Sequence, residues 1–83
     1  MKKDELIETK WAQEFLFYDD TCFDKAIEIA LSNIEYNVYL TDEVVDPLWV
    51  IDHNGFWMDG KSSLEEAVKL CEDMGWKYKV INK

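Results

Sequence analysis

Apolar residues fall at Phe23, Ala26, Ile27, Ala30 and Leu31, a spacing of three and four that predicts a helix with one buried face. Thr21, with Asp24 three residues on, has the form of a capping box at its start. Leu64, Ala67, Val68 and Cys71 repeat the stripe; Ser62 with Glu65 supplies the start of this second helix, and Gly75 is placed to end it. Elsewhere the period drops to two. Phe15 and Phe17 alternate with Glu14, Leu16 and Tyr18, the run Tyr36–Leu40 follows the first helix, and Trp76, Tyr78 and Val80 alternate with Lys77, Lys79 and Ile81. Each predicts a short strand. Leu48 to Asp59 carries a hairpin signal, because Asn54-Gly55 suits a two-residue type I′ turn with both central residues at positive φ. That turn pairs His53 with Phe56, Asp52 with Trp57 and Ile51 with Met58. One face then holds Trp49, Ile51, Phe56 and Met58 for packing on the helices. The other holds Val50, Asp52, Trp57 and Asp59, facing water. Thr41 to Pro47 reads as the longest loop, and the first ten residues, with Leu6 and Ile7, as a short helix or a frayed end.

A faint internal repeat aligns Phe15–Leu31 with Phe56–Glu72 and, after one added residue, Tyr36 with Tyr78 and Val38 with Val80. Each half reads strand–helix–strand. The expected fold class is α+β: one domain, residues 1–83, built as a two-layer sandwich. Its sheet is antiparallel or mixed, of about four to five strands packed with two helices. Two such halves around a central Asn-Gly hairpin resemble a split βαβ, ferredoxin-like arrangement.

Composition fits a core of this kind. Nearly half the chain is hydrophobic, with four each of Trp, Tyr and Phe, which argues against disorder. At 83 residues the core is small, so a homodimer enters as an alternative state. No apolar run approaches the ~20 residues that span a bilayer, and the first residues lack the apolar stretch of a secretory signal. These features predict a soluble cytoplasmic protein. Cys22 and Cys71 are then expected as reduced thiols used as small apolar side chains.

Charge changes the picture most. Eighteen acids face nine lysines, and there is no arginine. The excess is local: residues 11–60 hold eleven acids and only Lys25, whereas the two ends nearly balance. Such a surface repels phosphates and attracts basic proteins, and without arginine it lacks the usual bidentate reader of guanine and phosphate. Direct nucleic acid binding is not expected.

Catalytic and metal signatures are weak. His53 is the only histidine and falls at a hairpin turn, with no nucleophile motif to serve. The carboxylate pairs Asp19-Asp20, Asp42-Glu43, Glu65-Glu66 and Glu72-Asp73 follow from the sheer number of acids. Asp42, Glu43 and Asp46 lack the spacing and the central glycine of a calcium loop, and two cysteines do not make a zinc site. Gly55, Gly60 and Gly75 form no phosphate-binding pattern. The expectation is no enzyme activity, no metal and no cofactor.

What remains is an acidic surface bearing aromatics. Asp19, Asp20, Asp42, Glu43, Asp46, Asp52, Trp57 and Asp59 are the candidate partner-binding residues, with Tyr18 and Tyr39 as further aromatics among them. Trp57 serves as the anchor and the acids as steering groups. The expected partner is a basic, nucleic-acid-binding protein whose site the acids block as substitutes for phosphates. In size and charge, small arginine-poor acidic chains like this resemble phage-encoded inhibitors of restriction, CRISPR and other host defence systems. That resemblance implies an anti-defence role in the host cytoplasm. The alternative is a structural or regulatory domain that self-associates, its charge serving solubility.

Overall fold

The computed structural model describes residues 2–41 and 48–82, and the chain forms two compact units, Met1–Asn33 and Ile34–Lys83. The fold class is α+β, with helices α1 (Lys3–Ile7), α2 (Lys10–Tyr18), α3 (Phe23–Leu31) and α4 (Leu64–Met74). The strands are β1 (Glu35–Thr41), β2 (Leu48–His53), β3 (Phe56–Lys61) and β4 (Lys77–Val80).

The first unit is helical, which corrects the strand predicted around Phe15 and Phe17. Thr9 starts α2: its hydroxyl oxygen accepts from the Ala12 N–H at 3.2 Å, and its O–H donates to the Leu6 carbonyl at 2.7 Å. Trp11 and Phe15, one turn apart, bring their ring centroids within 5.8 Å. The apparent alternation was misleading because Leu16 and Tyr18 are apolar too. A run of four apolar residues carries no period of its own, and the capped, helix-favouring stretch before it decides the outcome. The same finding breaks the first half of the internal repeat and with it the split βαβ arrangement. After α2 the chain makes one 3-10 turn, Asp20–Cys22, and enters α3 with Cys22 at its N-cap. The expected cap at Thr21 is displaced: the side chain that accepts here is Asp19, from the Cys22 N–H. Ala26 and Ile27 of the predicted stripe are buried.

The second unit is a four-stranded mixed sheet in the order β3-β2-β1-β4. β2 is antiparallel to both neighbours, and β4 lies parallel to β1. α4 connects β3 to β4 and lies over β2, β3 and β4. The second half of the repeat survives as pairing: Tyr36 is the partner of Tyr78 and Val38 of Val80. Ser63, one residue later than expected, caps α4 by accepting from the Glu66 N–H. Gly75 ends it at φ 72°, and the Trp76 N–H reaches back to the Cys71 carbonyl at 2.8 Å. Tyr36, Val38, Ile51 and Met58 are buried, as are Ala67 and Cys71 of α4. The Tyr36 and Trp76 rings lie 4.8 Å apart.

The hairpin turn forms as predicted, with Asn54 at φ 50° and Gly55 at φ 85°. His53 pairs with Phe56 and Asp52 with Trp57. The next pair differs. Ile51 meets Asp59 instead of Met58, because β3 carries a bulge that leaves Met58 as the extra residue. The face expected to meet water is also corrected, since Val50 is fully buried and Asp52 is 3% exposed.

Candidate functional site

Of the eight candidate residues, Asp19 and Asp20 belong to the first unit and Asp52, Trp57 and Asp59 to the second. Asp42, Glu43 and Asp46 lie outside the described residues. Asp52 is a buried partner of the sheet: its Oδ2 accepts from the Tyr39 hydroxyl at 3.1 Å, across the β1–β2 pair. Its Oδ1 is buried and has no hydrogen-bond partner among the described residues. Tyr39 is itself buried, so neither belongs to an acidic exterior. Burial of the Cys71 thiol on α4 pushes it up to about 11, and the negative charge of Asp59 adds to the shift. Asp59 also accepts from the Gly60 N–H at 2.7 Å and stands 3.6 Å from the Lys61 ammonium. Trp57 is 38% exposed, and its cross-strand neighbour is the buried Asp52. Among the described residues, Asp52 is therefore not the solvent-facing carboxylate beside Trp57 that the hairpin pattern predicts.

A different aromatic feature stands out at the C-terminal end of α2. Phe17 and Tyr18 are each 82% exposed, the most open of the large apolar side chains among the described residues. Their rings meet edge to face at 5.1 Å. Leu16 beside them is 40% exposed. Trp11, Ala12 and Phe15 face inward on α2, which leaves the next apolar residues in sequence on the opposite side. The sequence marks Tyr18, but not Phe17, as a candidate aromatic, and its alternation predicts both in a strand. A usable signal was present, because four successive apolar residues cannot share one helix face.

Carboxylates follow directly. Asp19 and Asp20 are exposed, and so are Asp24 and Glu28 on α3. Asp19 accepts from the Thr21 hydroxyl at 2.8 Å and the Cys22 N–H at 3.3 Å. The Thr21 hydrogen bond is the main cause that holds the Asp19 carboxyl below its ordinary value of 3.8. The ion pairs Lys10–Glu14, Lys69–Asp73 and Lys79–Glu35 engage other acids at 3.3–3.9 Å, and none of the three includes Asp19, Asp20, Asp24 or Glu28.

Among the described residues, no group of three or more His, Cys, Asp and Glu side chains could hold a metal ion. The His53 ring stands edge-on to Tyr36 at 6.5 Å, and its Nε2 lies 3.3 Å from the Asn54 amide nitrogen. Both cysteines are free thiols, and no described helix is long and apolar enough to cross a membrane. No family model, curated protein or solved structure matches the chain.

Proposed function

We propose that this chain is a non-enzymatic binding protein that occupies, and so blocks, a basic nucleic-acid-binding surface on a larger protein. The observation that carries the reading is the exposed Phe17–Tyr18 pair, followed at once by the exposed Asp19 and Asp20. Large apolar side chains left in water supply contact energy when a partner covers them, about 1.5–3 kcal/mol for each that becomes fully buried. Carboxylates beside them steer a basic partner and disfavour an acidic one. Trp57, less exposed and on the second unit, becomes a secondary contact. Asp52 and Asp59 leave the set of steering groups. An inhibitor carried by a phage against a host defence nuclease is the biological setting that this chemistry suits, in the host-cell cytoplasm.

The alternative, self-association through the same aromatics, brings together two copies that each carry a net charge of -9. Like charge opposes it.

The test is affinity capture on the immobilised chain from lysate of its source organism, at about 50 mM and about 500 mM salt. The expected result is retention of a basic nucleic-acid-handling protein at the lower salt and its release at the higher. Retention of no basic protein at low salt, with a doubled mass in light scattering, would transfer the case to self-association.

A further inference from the structure

We infer that the surface this chain occupies is a single-strand site, one that stacks unpaired bases, and not a duplex groove. The inference rests on the reading of the chain as an occupant of a nucleic-acid-binding surface and names which kind.

A duplex keeps its base faces stacked inside. It offers a protein only phosphates, sugars and base edges. A blocker of a duplex groove therefore needs carboxylates in the places of phosphates and has no use for open aromatic faces. Single strands are different. Their bases are splayed out and stack on aromatic side chains or arginine planes of the protein, while a basic groove tracks the backbone. A blocker of that site needs two kinds of group side by side: flat π faces for the stacking platforms and negative charge for the groove.

The end of α2 has both. Phe17 and Tyr18 are 82% exposed, so most of each ring is open to a stacking partner. Their edge-to-face contact at 5.1 Å holds the two rings against each other, which lowers the ordering cost of docking them. The carboxylates come next in the chain. Asp19 is fixed in place by Thr21 and Cys22, and Asp20 opens the 3-10 turn facing solvent. From residue 11 to residue 33 there are five acids and one lysine, so the rings sit within a negative segment. Charge also selects the occupant. A second copy of this chain would meet repulsion at every one of these groups, whereas an arginine- or lysine-lined groove with stacking side chains meets attraction on both counts.

The test uses the protein retained at low salt and two competitors, a twenty-nucleotide oligo-dT strand and a twenty-base-pair duplex. The parent chain is compared with Phe17→Ala/Tyr18→Ala. Both side chains are exposed, and a circular dichroism melt checks that the variant folds. The expected result is displacement by oligo-dT at a concentration at least about tenfold lower than the duplex requires. The double variant is expected to bind at least about tenfold more weakly, the scale of one lost base–aromatic stack. Equal or better displacement by duplex overturns the single-strand inference and leaves the binder reading standing, whereas a folded variant that binds within about twofold of the parent overturns the single-strand inference and removes the aromatic contact from the binder reading. Retention of no basic protein at low salt overturns both.

Discussion

Asp19, Asp52 and Asp59 are one side chain in three physical situations. Asp19 is exposed and held by two donors that stabilise its charged form. Asp52 is buried, with the Tyr39 hydroxyl on one oxygen and no partner among the described residues on the other. Asp59 is half-committed, bonded to the Gly60 N–H and near Lys61, and it acts on Cys71 instead of on solvent. None of these roles follows from residue type, because each depends on which side of a strand or helix end the carboxyl emerges. Cys71 gives a pH signature at this scale. In the unfolded chain its thiol ionises at the ordinary 9.0, while in the fold it keeps its proton to about 11. Unfolding thus releases a proton in that window, and stability falls as pH rises through it, levelling off above. Burial raises the Tyr36 hydroxyl as well and adds in the same direction. Thermal melts between about pH 8 and about pH 10.5 are expected to show a falling Tm for the parent and a shallower fall for Cys71→Ala. An identical slope in the two proteins would mean that the thiol ionises alike in both states.

At the scale of elements, legibility followed the strength of local signals. α3 and α4 are evident in their stripes and the Asn54-Gly55 turn in its chemistry, whereas the parallel β1–β4 pairing of Tyr36 with Tyr78 has no signal beyond the faint repeat. The strand expected at Phe15–Phe17 failed because alternation among residues that are nearly all apolar has no polar side to define it. The hairpin's faces failed beyond its first two pairs, because the Met58 bulge shifts every residue after it, and no turn signal announces a bulge. Burial of Asp52 was equally hidden, since an acid in an alternating strand reads as a solvent position. The candidate site suffered from both errors. Of the candidate acids, Asp52 is buried and Asp59 half-buried, and the proposed aromatic anchor is the Phe17–Tyr18 pair in place of Trp57. The β1–β2 pair carries the matching prediction. Tyr39→Phe removes the donor to Asp52 without changing the packing outline, leaving a buried carboxylate with less support, and is expected to destabilise the fold by about 1–3 kcal/mol. Urea unfolding measures it, with the midpoint lowered and the slope unchanged. No loss of stability would mean that this hydrogen bond does not serve Asp52.

For the molecule as a whole, the charge excess is legible in the sequence, whereas the exposed Phe17–Tyr18 pair follows from the helix that replaces the expected strand. On the proposed reading, a net charge of -9 on 83 residues opposes self-association and favours the approach of a basic partner over a range set by ionic strength. In the proposed complex, Phe17 and Tyr18 add a contact that salt does not screen. Steering groups of this sort act in number, so neutralising them one at a time should weaken binding in steps, unlike the collapse that follows loss of a catalytic group. The most direct test is the Kd for the captured partner across about 50–500 mM salt. It is measured for the parent chain and for Asp20→Asn, Asp24→Asn and Glu28→Gln, singly and combined. The account predicts a Kd that rises steadily with salt, and a further loss of about 1.5- to 5-fold with each carboxylate removed. A Kd that does not respond to salt, or a triple variant that binds like the parent, would contradict it.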